Sequence, residues 1–183
     1  MKLEKKVIGI VGMPGSGKSV FDNIAKQFCF SIVIMGDVVR EETQKRGLEL
    51  TPENIGKVMM KMREEKGSDI VAKTCVPKVK ESKSKKVVID GIRNLVEVEE
   101  FKNKFPEFTL VHIHSSPKTR FERLFYRKRS DDPKSWKKFS ERDCRELRVG
   151  IGSVIALADY VLINEGTLSQ FEIEAKDFLK TML

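Results

Sequence analysis

Five short apolar runs mark out the chain: Val7 to Val11, Ser31 to Met35, Val87 to Asp90, Thr109 to His114 and Tyr160 to Ile163. Within each run the apolar residues follow one another instead of alternating with polar ones. Strands of that kind are covered on both faces, the condition of a parallel sheet between two layers of helices. The sequence between the runs supplies those helices, with apolar positions three or four apart. The pattern therefore predicts an α/β fold of three layers around a five-stranded parallel sheet.

The punctuation sharpens the helices. One runs from about Lys18 to Phe28, directly after a glycine-rich turn. Residues 38–80 read as mostly helical, broken at Gly47 and Gly67, with Thr51-Pro52-Glu53 as a helix start. The stretch Lys80 to Lys86 reads as a basic surface loop. A helix rich in arginine follows Pro117 and ends at about Lys128, before Ser130-Asp131-Asp132-Pro133. A further helical region spans Phe139 to Ala158, interrupted by Gly150 and Gly152, and an amphipathic helix closes the chain after Asn164-Glu165-Gly166.

At 183 residues the chain is long enough for one well-cored domain and short for two. No run approaches the roughly 20 apolar residues of a membrane span. The N-terminal apolar stretch is too short for a signal peptide, and three dispersed cysteines (Cys29, Cys75, Cys144) suggest no disulfide framework, so a cytoplasmic protein with reduced thiols is expected. The net charge of +8 suits polyphosphate substrates and nucleic acid alike. Its basic residues concentrate at Lys78 to Lys86 and Arg120 to Arg129.

The chemistry begins at Gly12-Met13-Pro14-Gly15-Ser16-Gly17-Lys18-Ser19, between the first strand and the first helix. Glycines let such a loop curl its N–H groups inward around phosphate oxygens, and the helix N-terminus adds positive potential. Lys18 is expected to reach the β- and γ-phosphates of ATP, and Ser19 to ligate Mg2+. Val20 completes this nucleotide-binding stretch. Asp90, ending the third strand, is the expected second magnesium contact. Neither an Asn-Lys-x-Asp nor an Asp-x-x-Gly motif is present, which disfavours a switch GTPase.

Three further segments resemble adenylate kinases, in the right order: Gly36-Asp37-Val38-Val39-Arg40, Asp90-Gly91-Ile92-Arg93, and Arg123, Arg127 and Arg129 followed by Asp131-Asp132 and Arg142. The resemblance implies a P-loop kinase domain with its core in 1–40 and 85–183, a helical acceptor-binding flap over about 41–80 and a short lid over about 127–142. It implies acceptor binding by Asp37, Arg40, Gly91 and Arg93, and closure of Arg123, Arg129 and Arg142 over the transferring group. Glu97 stands near the place of the base-reading glutamine. Ala158 to Gly166 is more similar to dephospho-coenzyme A kinases, with Gly166 near the donor base. As a whole the chain resembles archaeal adenylate-kinase-related proteins.

The implied activity is ATP- and Mg2+-dependent transfer of a phosphoryl group to a small phosphorylated acceptor such as AMP. A dephospho-coenzyme A kinase and a slow nucleotide-gated RNA- or protein-binding module are the alternatives. The remaining candidates have plainer readings. His112 and His114 share a strand face without a third metal ligand, Met59, Met60 and Met62 suit packing, and Trp136 falls in the expected lid.

Overall fold

The computed structural model describes residues 5–129 and 132–183, and at Pro52 the backbone alone. The readings that fell on Met1 to Glu4, Ser130 and Asp131 lie outside the described residues. The five strands form where the apolar runs placed them: β1 (Lys6–Val11), β2 (Ser31–Ile34), β3 (Lys86–Asp90), β4 (Phe108–His114) and β5 (Tyr160–Ile163). All pair in parallel, in the order β2-β3-β1-β4-β5.

Although the strands are continuously apolar, their residues still divide between two faces, because successive side chains point to opposite sides. Val7 and Val11 of β1, Val87 and Ile89 of β3 and Leu110 of β4 belong to one core. Ile8 and Ile10, Val88, and Val111 and Ile113 belong to the other. The second core is closed by α1 (Lys18–Gln27) and α9 (Leu168–Thr181), through Phe21, Ile24, Phe171 and Phe178. The first core is closed by α2 (Met35–Lys45), α3 (Pro52–Lys66), α4 (Ile70–Glu81), α5 (Leu95–Lys104) and α8 (Ile151–Ala156). The three-layer α/β expectation is met.

Crossing between adjacent strands brings the β1 turn to the middle of the sheet, flanked by the ends of β3 and β4. In an open parallel sheet that position is the crevice where ligands bind. Two helices complete its rim: α6 (Pro117–Arg127), capped by the Ser116 hydroxyl, and α7 (Trp136–Val149), capped by the Ser135 hydroxyl.

The differences from the sequence reading are local. Met35, Gly36 and Asp37 were expected to end a strand; they open α2, because Met35, Val38, Val39 and Thr43 repeat at helical spacing and all bury. The basic loop expected from Lys80 shrinks to residues 82–85. The region expected from Phe139 starts earlier, at Trp136, and splits at Gly150, whose φ of 113° ends α7. Helix α5 had no sequence assignment. It starts at a reciprocal cap in which Asn94 accepts from the Glu97 N–H and Glu97 reaches back to Asn94.

Candidate functional site

The loop between β1 and α1 is built for close approach. Gly15 and Gly17 have φ of 87° and 104°, a region unfavourable to other residues. A Cβ at Gly12 would lie 2.6 Å from Ser16 Oγ, and one at Gly17 would lie 2.2 Å from Asn164 Nδ2. Such a loop can hold only glycine where it turns.

The loop is braced from below by residues that lie up to 148 positions away. Asn164, at the end of β5, donates to the Ser16 carbonyl at 2.8 Å, and Ser115, at the end of β4, donates to the same oxygen at 3.3 Å. Arg123 ties these two together, through Ser115 Oγ at 3.0 Å and Asn164 Oδ1 at 3.1 Å. Arg120, 3% exposed, donates to the Pro14 carbonyl at 3.2 Å and to both oxygens of Asp143 on α7, at 2.9 and 2.5 Å. Its guanidinium also lies over the Phe139 ring. Sequence reasoning missed Ser115, Asn164, Arg120 and Asp143 as parts of the site. The helical stripe of Arg120, Arg123 and Arg127 was the one signal available.

Lys18 lies among charged groups. Its ammonium donates to the Gly12 carbonyl at 2.7 Å. Burial lowers its pKa, with Asp90 opposing that shift and Arg93 adding to it. Asp90 has a neighbour the sequence reading did not include: Asp22 of α1, 6% exposed, one turn beyond Ser19. Burial raises the pKa of both carboxyls, and the proximity of Asp90 raises that of Asp22 further. Asp22 Oδ1, Asp90 Oδ1 and Ser16 Oγ are buried without a hydrogen-bond partner in the structure. Two hard carboxylate oxygens and the exposed Ser19 hydroxyl fit a small divalent cation, and the glycine-lined cradle fits phosphate.

On the other side of Lys18 lies the segment Gly91-Ile92-Arg93. Gly91, with φ of 101°, lets the chain turn back so that the N–H groups of Gly91 and Ile92 both donate to the Ile10 carbonyl. Arg93 then reaches Glu146 of α7 at 3.1 Å and Met59 of α3 at 3.7 Å. Asp37 and Arg40, in the first turns of α2, pair at 2.5 Å and are half exposed. Asp37 adds slightly to the raised pKa of Asp90, behind the larger effect of burial.

Not every expected residue joins this group. Glu97 is 1% exposed, and its carboxylate accepts from Arg93 N, Asn94 N and Arg63 Nη2. It caps α5 and ties α3 to it, so in this structure the carboxylate expected near an acceptor base is engaged within the protein. The arginines Arg123, Arg129 and Arg142, expected to converge, fall into two places. Arg123 lies under the loop, whereas Arg129 donates through its backbone N–H to Asp132, which also pairs with Arg127 and faces Arg142 at 4.0 Å. Gly166 follows the bracing Asn164, and its bareness leaves room for Gln170 of the α9 cap. Met13 packs on the first core and Val20 on the second.

His112 and His114 meet edge to face at 5.4 Å, and burial pushes His112 down to about 4. Among the described residues no cluster of three or more His, Cys, Asp or Glu could hold a metal, and no helix is long and apolar enough to cross a membrane.

Comparison with known proteins supports this reading of the loop. A family described as an AAA domain matches residues 11–140, a span that takes in the loop, Asp90, Arg93 and α6. The UPF0200 protein TK1334 of Thermococcus kodakarensis is 49% identical, with 97% of this chain and 98% of that protein aligned. The UPF0200 protein MJ1399 of Methanocaldococcus jannaschii is also 49% identical, over 97% and 90%. The chain belongs to the UPF0200 family.

Solved structures share the UPF0200 fold at much lower identity. TT1252 from Thermus thermophilus superposes with a TM-score of 0.69 at 15% identity, covering 98% of this chain and 99% of that one. Shikimate kinase from Acinetobacter baumannii, in complex with shikimate, gives 0.61 at 12%, covering 98% and 94%. A gluconokinase from Sinorhizobium meliloti gives 0.55 at 16%, covering 100% and 95%. The fold is the one seen in that shikimate kinase and that gluconokinase.

Proposed function

We propose that this UPF0200 protein transfers the terminal phosphoryl group of ATP to a small phosphorylated acceptor, a nucleoside monophosphate such as AMP. The observation that carries this reading is Arg93, turned back beside the phosphate loop at Gly91 and paired with Glu146 of α7, where its charge bears on Lys18 and Asp90. An arginine beside the loop's own lysine suits a second, anionic substrate.

The loop N–H groups and Lys18 hold the donor phosphates, with Lys18 exchanging the Gly12 carbonyl for phosphate oxygens. Ser19 and Asp90 hold magnesium, which neutralises charge on the phosphate oxygens when bound. Arg93 and Arg40 receive the acceptor phosphate, displacing Glu146 and Asp37 from them. Arg129, just past α6, and Arg142, within α7, approach from the proposed lid over about 127–142, and residues 41–80 form the proposed acceptor flap. Phosphoryl transfer needs chiefly alignment and charge neutralisation, and closure keeps water from the transferring group.

A second reading is favoured by the carboxylate of Asp37, which could take a proton from a hydroxyl acceptor as a general base. Dephospho-coenzyme A would be such an acceptor. One assay separates the two: ADP formation from ATP and Mg2+ with AMP, CMP, UMP, GMP or dephospho-coenzyme A added singly. Stimulation by a nucleoside monophosphate, with its diphosphate detected, supports the first reading. Stimulation by dephospho-coenzyme A alone supports the second, and a rate indifferent to every acceptor refutes both for these substrates.

A further inference from the structure

The charge of this chain is concentrated in one place. Residues 117–149 hold 12 Lys and Arg against six Asp and Glu, so six of the eight net positive charges fall on α6, α7 and their connection. The phosphate chemistry proposed above uses the arginines on the crevice side. It leaves Lys118, Lys134 and Lys137 exposed and without an ion pair among the described residues.

The same two helices carry an aromatic run. Tyr126 meets Phe125 at 5.8 Å, Phe125 meets Phe121 at 5.7 Å, and Phe121 meets Trp136 at 5.3 Å across the helix pair. Phe139 closes the cluster from beneath, 1% exposed. The outer members are open: Phe125 is 44% exposed, Trp136 51% and Tyr126 76%. Of the four exposed Phe, Tyr and Trp side chains among the described residues, three lie here, the fourth being Tyr160. On α6, Lys118, Phe121 and Phe125 fall on one helical stripe, with Lys128 just past its end; on α7, Trp136 is bracketed by Lys134 and Lys137.

We infer that this outer face of α6 and α7 binds single-stranded nucleic acid, with bases stacked on Tyr126, Phe125 and Trp136 and the phosphate backbone following the lysines. Exposed rings alone would suit many partners. Rings rimmed by cations suit a ligand that presents flat bases and an anionic backbone together. A duplex keeps its bases stacked inside and would gain only the electrostatic part. The inference rests on the exposed rings and lysines of α6, α7 and their connection, not on the identity of the phosphate acceptor.

Trp136 is the single tryptophan of the chain, so its fluorescence reports on this face. The test titrates the full protein with oligouridylate and oligothymidylate of about 12 nucleotides at salt between about 50 and 200 mM. A saturable change in Trp136 emission is expected, with an affinity that falls as salt rises. Tyr126→Ala, which removes an exposed ring and little packing, should weaken binding by about tenfold. Lys134→Glu with Lys137→Glu should reduce the slope of log affinity against log salt by roughly 1.4. Preference for either sugar supports the site, an RNA preference marking 2′-hydroxyl contacts.

Four results would each overturn it. They are no binding at the lowest salt, unchanged affinity in both variants, equal affinity for a duplex of the same length, and displacement of the oligonucleotide by polyglutamate as effectively as by unlabelled strand.

Discussion

Arg93 and Glu146 meet at 3.1 Å across the crevice, joining the turn after β3 to α7. Arg93 is about a third exposed and Glu146 less so, so the pair is accessible to an incoming anion without being fully screened. If Glu146 holds the place of the acceptor phosphate, Glu146→Gln should lower the acceptor KM by about three- to fivefold, the equivalent of about 1 kcal/mol. Arg93→Ala should raise it by tenfold or more, with ATP affinity nearly unchanged. Steady-state kinetics with each substrate varied in turn checks both. Equal loss of ATP and acceptor affinity in Arg93→Ala would remove Arg93 from the acceptor site.

Lys18 supplies the test of the donor side. Lys18→Met keeps the length of the side chain and removes its charge, and the transfer rate should fall a hundredfold or more. Circular dichroism and thermal unfolding should show the fold intact, since the lysine's hydrogen bond within the protein is to the Gly12 carbonyl. A variant that keeps its full rate would mean that the loop does not bind the transferring phosphates.

Arg120 and Asp143 form a buried bidentate pair that fastens α7 to α6 and, through Pro14, to the phosphate loop. Removing one partner strands the other charge in the interior. Arg120→Ala is expected to cost about 3–5 kcal/mol in denaturant unfolding, as is Asp143→Ala, and the double variant should cost less than the sum. Additive losses would show that the two groups act independently.

His112 gives the pH dependence. Burial, then the nearby charges of His114 and Lys18, hold it neutral down to about 4 in the folded state, below the 6.5 of a free histidine. The unfolded chain therefore binds the extra proton first. The contribution of His112 is fully present above pH 6.5 and is lost as pH falls from there towards 4. His112→Phe should flatten unfolding stability against pH across that window, measured by urea titration at each pH. An unchanged slope would place the acid sensitivity on other groups.

Much of the site was legible because local rules govern it. The signature of the phosphate loop is carried by eight consecutive residues, Gly12 to Ser19, and the turn forms there between β1 and α1. Glu97 marks where local rules stop deciding. A carboxylate three residues after Asn94 can serve a ligand or cap a helix, and the composition of the segment does not choose. Only the burial of Glu97 against Arg63 decides in favour of the cap.

By itself the sequence determined the layered fold, since continuously apolar strands must be covered on both faces, and it determined the phosphate loop. The tertiary structure decided what those strands bring together. Strand order places Asn164 and Ser115 beneath a loop at the other end of the chain and sets Asp22 beside Asp90. Such pairings depend on parallel crossovers between distant segments, and no local pattern of residues encodes which ends will meet.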